Sequence, residues 1–225
     1  MMSNWKHKIL GVVLFLVTVV VIGGFSISYS KTKTPNKSQS NGMVNGLNTT
    51  TLSGLIETLK KHPEGGRVTF YSQSRWQDGM RSFTSFAGYR IDGKMVHEGT
   101  RSFVVLGDEG AELSGTDAAP GAVEELMYAM ATCIIAAANA NAALMGVKLT
   151  RMDVKLESDL DLHGLFALDS NVRPGIQELR AEITIAGNAD DETLKKIAML
   201  GYEYSPVSET IRNGIKFTPV VHIAK

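Results

Sequence analysis

The chain has 225 residues, 23 Lys and Arg against 23 Asp and Glu, 44% apolar and 7% aromatic residues. That length can bury a sizeable core, and the balanced charge excludes a disordered polyelectrolyte and a strongly basic nucleic-acid binder. The single cysteine, Cys133, excludes an intrachain disulfide and any multi-cysteine metal or iron–sulfur site.

Residues 9–30 carry no charge and follow Lys6, His7 and Lys8. As helix, residues 9–27 reach about 28 Å, close to the roughly 30 Å of a bilayer's hydrocarbon layer. Residues 1–30 therefore read as an uncleaved transmembrane anchor or a secretory signal peptide. For a signal peptide the exits Ser26-Ile27-Ser28 and Ser28-Tyr29-Ser30 are poor beside Ala-x-Ala. Either reading makes the remainder membrane-anchored or secreted, with an extracytoplasmic domain. Residues 31–49 are polar, with Lys, Asn, Ser, Pro and Gly, and read as a linker. Residues 50–225 are then one domain.

That domain opens with a short helix over Thr51 to Lys61, where Leu52, Leu55, Ile56 and Leu59 recur at helical spacing before Pro63 and Gly65-Gly66 stop it. Arg67 to Gln73 and Arg81 to Ile91 alternate as strands about a turn at Gln77-Asp78-Gly79, and Arg101 to Leu106 is a third strand. Residues 107–119 read as a loop. A long helix is expected from Pro120 to Met145, with Pro120 in its first turn and alanines all round its second half, so that it is buried on every side. Its small side chains allow close approach of the same helix from a second copy, which predicts a homodimer. Strands over Lys148 to Leu162 and Leu179 to Ile185 follow, then helices from Asp191 to Tyr202 and from Pro206 to Arg212, with Ser205 as the second helix's N-cap. A last strand is expected over Ile215 to Ile223. The order is α+β, with antiparallel sheet around a long buried helix.

Cys133 lies mid-helix among Ala129, Met130, Ala136 and Ala137, neighbours that supply no charge. Such a site keeps a thiol inert, and nucleophilic use needs a cation delivered from elsewhere in the fold. Both a structural and a reactive cysteine stay open at this point. Glu124 and Glu125 suit the helix macrodipole. Glu124 precedes Cys133 by nine residues, about 180° of rotation and about 13 Å of rise, so it cannot touch the thiol directly. His62, His97, His163 and His222 form no metal-ligand spacing, and Asp159, Asp161 and His163 read as alternate positions on a solvated strand face. No cofactor motif is present: phosphate loops and Ser-centred nucleophile elbows are both missing.

The run Pro120-Gly-Ala-Val-Glu124-Glu-Leu-Met-Tyr-Ala-Met-Ala-Thr-Cys133 resembles the helix of the OsmC/Ohr family, the osmotically inducible and organic-hydroperoxide-resistance proteins. The resemblance continues through Asp159-Leu-Asp-Leu-His-Gly164, Val172-Arg-Pro-Gly-Ile-Gln177 and Ser205-Pro-Val-Ser-Glu-Thr-Ile-Arg-Asn-Gly214, and upstream through Arg67-Val-Thr-Phe70 and Ser74-Arg-Trp76. It implies an interlocked homodimer with sheets wrapped around two central helices and active sites at the subunit interface. In peroxidase members the helix cysteine attacks a hydroperoxide as a thiolate, held by an arginine and a glutamate. A second cysteine then closes a disulfide.

Cys133 matches the nucleophile and Glu124 the glutamate. Ser205, in Ser205-Pro206-Val207, stands where the second cysteine would be, and a hydroxyl cannot condense with a sulfenic acid to a disulfide. Gln77 stands at the family's arginine position, which leaves Arg81 or Arg75 to substitute, and Arg81 is the choice here. The implied function is a thiol-dependent hydroperoxide reductase that uses Cys133, Arg81 and Glu124 and turns over with an external thiol. The alternative is a non-catalytic, membrane-displayed dimer that binds an apolar or lipid-like molecule.

Overall fold

The computed structural model describes residues 42–224, so the predicted anchor over residues 9–27 lies outside the described residues. The first element is a miniature hairpin, β1 (Met43–Val44) and β2 (Leu47–Asn48). Its turn, Asn45-Gly46, has φ of 52° and 81°, the left-handed pair that a tight two-residue hairpin requires. Residues 42–48 thus belong to the folded domain, although polarity alone assigns them to the linker. Seven residues are too few to show a period, and what holds them is distant in sequence. The Asn45 side-chain amide donates to the Val147 carbonyl and accepts from Leu149 N–H, each at 2.9 Å, as an inserted strand residue would. Asn48 then caps α1 (Thr49–Lys61) by accepting from Thr51 N–H at 3.0 Å.

The next segment is a kinked antiparallel ribbon. β3 (Val68–Thr69) and β4 (Ser72–Asp78) pair with β6 (Tyr89–Ile91) and β5 (Arg81–Phe86), respectively. Each of the two long strands expected from alternation is therefore two strands, broken at the same level on both sides of the ribbon. Gly88 sits at one break, where an added Cβ would lie 2.6 Å from the Val96 carbonyl oxygen. Period-two alternation continues through such a kink and cannot reveal it. β7 (Lys94–Val96) completes a three-stranded sheet, β3-β6-β7, and β8 (Phe103–Gly107) completes another, β4-β5-β8, with β8 at its edge.

The core belongs to the second half of the domain. α2 (Ala122–Leu144) packs on α4 (Asp191–Glu203), on α5 (Pro206–Asn213) and on the antiparallel hairpin of β9 (Leu149–Asp159) and β10 (Glu178–Gly187). Ala138, Ala142, Val147, Leu194 and Ile197 form its centre, with Leu149, Met152 and Ile185 packed against them. α2 and α4 approach closely because Gly201 has no side chain: a Cβ there would fall 2.7 Å from the Ala138 Cβ and 2.8 Å from the Ile134 carbonyl oxygen.

Three expectations need correction. Pro120 precedes the helix, whose N-cap is Gly121. Within the single chain α2 is not buried all round: Met130, Ile134, Ala138, Ala142 and Ala143 are buried, whereas Tyr128, Thr132 and Ala136 are exposed. Alanines on every face show only that the helix can be approached from any side. The segment 215–223 forms no strand, and Ile215, Phe217, Val220, Val221 and Ile223 are all more than 70% exposed. Alternation marks a chain suited to a sheet but does not supply a neighbouring strand. Among the described residues α2 is the one helix long and apolar enough to cross a membrane, a property it shares with core helices of water-soluble folds.

Candidate functional site

The site is built on the first four turns of α2. Glu124 turns back on its own helix, where its Oε2 accepts from Gly121 N–H at 2.8 Å. Glu109 joins it from the loop after β8, with Oε1 3.4 Å from Ala122 N and Oε2 2.8 Å from where a Gly121 Cβ would sit. Two carboxylates therefore serve the free N–H groups and positive end of the macrodipole. Glu125 is in a different state. Its Oε1 is buried with no hydrogen-bond partner among the described residues, beside a cavity of about 470 Å³ lined by Val105, Pro120, Glu124, Glu125 and Tyr128.

Cys133 is half-buried, at the border between the covered face of α2 and the open one. Eight residues separate it from Glu125, about 80° and about 12 Å along the axis. Both side chains thus look toward the half of the helix that the chain leaves open, whereas Glu124 lies on the opposite side from Cys133. A cation placed between Glu125 and Cys133 must come from another element. Arg81 is engaged with Asp78 across the β4–β5 turn, at 3.5 Å, with both side chains largely in solvent. The structure brings Arg81 to neither Glu124 nor Cys133 within the chain, since the β4-β5-β8 sheet packs mainly on itself. Arg75 lies on exposed β4.

Ser205 is fully buried and accepts from Ser208 N–H at 3.1 Å, as the predicted N-cap of α5. Ser208 is also fully buried, and its Oγ is unpartnered among the described residues. Asp161 and His163 are not on a strand face: Asp161 caps the short helix α3 (Leu162–Leu165) and lies 2.9 Å from His163 Nδ1. No cluster of His, Cys, Asp and Glu suited to a metal occurs among the described residues.

The loop entering α2 is held by Asp108, which is 2% exposed. Its Oδ2 accepts from the Thr116 hydroxyl and from the N–H groups of Thr116 and Ala118, both at 3.1 Å. These bonds, the Thr116 hydroxyl foremost, hold its carboxyl down at about 2. A second cavity, of about 720 Å³, opens at the N-terminal end of α2, walled by Met80, Leu126, Leu160, Phe166, Ile176 and Ile211, with Glu109 as its ionisable group. Sequence reading missed this cavity because its walls come from six separate segments. It also gave Glu125 no role beyond the helix macrodipole, since its signal is an unpaired oxygen rather than a motif.

The family model described as OsmC-like protein matches residues 115–220, a span that holds α2, Cys133 and Ser205. These residues belong to the OsmC-like family. Solved structures similar to this chain include an OsmC-like protein from Mycoplasma pneumoniae, at 12% identity and TM-score 0.49, covering 65% of this chain and 89% of that one. A putative osmotic stress induced and detoxification response protein from Psychrobacter arcticus is 16% identical, with TM-score 0.46, covering 62% and 85%. An organic hydroperoxide resistance protein OsmC from Legionella pneumophila is 16% identical, with TM-score 0.43, covering 64% and 90%. Likenesses this loose carry no weight beyond the family match, and the α+β assignment rests on the ladders described above. No curated protein matches the sequence.

Proposed function

We propose that this OsmC-like chain is a thiol-dependent organic hydroperoxide reductase acting as a homodimer, displayed outside the cytoplasm by its N-terminal segment. The observation that carries the reading is Cys133 at the border of the open half of α2, inside the family match and in the helix motif of the peroxidases. A second copy laid along that open half would bring Arg81 or Arg75 to Cys133, with Glu124 or the unpaired Glu125 to orient the guanidinium. The arginine stabilises the thiolate. The thiolate attacks one peroxide oxygen, the O–O bond breaks, and the departing alkoxide takes a proton to leave as an alcohol. The sulfur, oxidised by two electrons, becomes a sulfenic acid. Ser205 cannot resolve it, so one external thiol condenses with it to a mixed disulfide and water. A second external thiol then releases Cys133 and a small disulfide.

The test treats the full chain in detergent with cumene hydroperoxide and follows sulfenic acid at Cys133 by trapping and mass spectrometry. Oxidation at least about tenfold faster than that of free cysteine at the same pH is expected, and slower oxidation on Arg81→Ala or Glu125→Gln. A rate equal to that of free cysteine removes the peroxidase reading. The 720 Å³ apolar cavity supports a second reading, storage or transport of an apolar molecule without chemistry. In that case apolar material co-purifies with the chain and Cys133 reacts no faster than a free thiol.

A further inference from the structure

Charge is divided along the chain. Residues 31–107 carry 11 Lys and Arg against 5 Asp and Glu, whereas residues 108–225 carry 10 against 18. An asymmetry of this size marks the first part for an anionic partner. The three-stranded sheet β3-β6-β7 belongs to that part, and none of its eight residues is buried. Residues paired across the ladder share a face, as do alternate residues along a strand. Val68, Tyr89, Ile91, Lys94 and Val96 therefore lie on one face, and Thr69, Arg90 and Met95 on the other. Phe70 extends the first face, with its ring centre 5.2 Å from that of Tyr89. Arg101 completes it, its guanidinium 5.5 Å from the Tyr89 ring centre and 4.9 Å from that of Phe103. Val68, Phe70, Ile91 and Phe103 are 40–71% exposed, an apolar patch that nothing in the chain covers. The two acids of residues 87–101, Asp92 and Glu98, are outnumbered there by Arg90, Lys94 and Arg101.

We propose that this face docks on the headgroup region of a membrane containing anionic phospholipid, on the leaflet from which the domain emerges. This rests on the anchor reading of residues 9–27 and goes beyond it by naming the surface that meets the lipid. Sequence length sets the proximity. Only residues 28–41 separate the predicted span from Gly42, so even fully extended they hold Gly42 within about 50 Å of the bilayer. Side-chain chemistry selects among anionic partners. Aromatic rings and aliphatic side chains enter the boundary between headgroups and acyl chains, where Lys94 and Arg101 meet phosphate, each cation strengthening the association about fivefold. A nucleic acid would satisfy the same cations but give Val68 and Ile91 nothing to pack on. Arg75 and Arg81 belong to the other sheet, on β4 and β5, so docking here leaves them to the second copy.

The experiment reconstitutes the full chain into vesicles of phosphatidylcholine and phosphatidylglycerol at about 7:3, with photoreactive benzoyl-phenylalanine in place of Phe70 or, separately, of Met95. Resistance to alkaline carbonate, measured without irradiation, reports the anchor. Lipid adducts found by mass spectrometry after irradiation report the face. An adduct from the Phe70 probe is expected, with a yield at least about threefold lower from the Met95 probe on the opposite face. The Phe70 yield should also fall at least about threefold in pure phosphatidylcholine, and likewise on Lys94→Glu. Retention in the carbonate pellet with no adduct from Phe70 overturns the docking and leaves the anchor in place. Release by carbonate with that adduct present overturns the anchor alone, and release without it overturns both. Cross-links from Phe70 to a second chain in place of lipid overturn the docking by making the face an interface between copies. Equal yields from Phe70 and Met95 overturn the face assigned here, and equal yields in the two lipid compositions overturn the anionic requirement.

Discussion

Asp108 shows how one carboxylate sets the geometry at the entrance to α2. Three donors converge on its Oδ2, and the loop from Glu109 to Pro120 closes around it before Glu124 and Glu109 meet the helix end. Its carboxyl titrates at about 2, below the ordinary 3.8. A depressed value means that the folded state binds the proton more weakly than the unfolded chain. The stabilisation is therefore fully present above about pH 4 and is lost as the pH falls through about 2. Asp108→Asn should lower the melting temperature by several degrees at pH 7 and by much less at pH 2. Thermal melts followed by circular dichroism at both values check this, and an equal loss at both pH values contradicts the charge argument. None of this was legible in the sequence, where Asp108 is one polar residue in a Gly-rich stretch. The caps at Asn48, Asp190 and Ser205 are local and lie three residues from their donors, and the one at Ser205 is legible in the sequence.

At the scale of elements, the contact between α2 and α4 depends on glycine. Gly201→Ala places a methyl group inside the van der Waals radius of Ala138 and of the Ile134 carbonyl, and backbone atoms cannot yield as a flexible side chain would. We expect a loss of about 1–3 kcal/mol in denaturant unfolding. A neutral effect would mean that the helices can part there without cost. Helices α1, α2, α4 and α5 were legible to within two residues because each carries a cap or stop signal and a 3.6-residue period. β9 and β10 were legible because one face packs on helices and the other is charged, with Met152, Val154 and Leu156 inward and Arg151, Asp153, Lys155 and Glu157 outward. The kinks at residues 70–71 and 87–88 and the hairpin at residues 43–48 were not, since they are fixed by close approaches and bonds between distant parts of the chain.

For the whole molecule, the exposed line Tyr128, Thr132 and Ala136 on α2 is the feature the homodimer reading must explain. Ala137 and Ala140, also on α2, are half-buried within the chain, which leaves the exposed line as the seam that this reading expects. Ala136→Leu should therefore overpack the seam and weaken the dimer about tenfold by light scattering, with helix content unchanged. Ala142→Leu, at a fully buried position, should instead damage the fold itself. A dimer unaffected by Ala136→Leu would place α2 away from the symmetry axis. The candidate site divides along the same line. Cys133 and Glu124 are picked out by the helix motif, whereas the structure brings Arg81, the arginine chosen from the sequence, to neither of them within the chain.

The Asn45 clamp bears on how mechanical load enters this fold. Asn45 is tied to Val147 and Leu149 through its side chain, and its carbonyl accepts from Asn139 at 3.4 Å. Tension arriving from the N-terminal side meets two ties: Gly42, whose carbonyl accepts from Thr49 at the start of α1, and Asn45, whose three bonds pass it to the end of α2 and the start of β9. The ribbon that carries Arg81 follows α1 in the chain and lies beyond both ties.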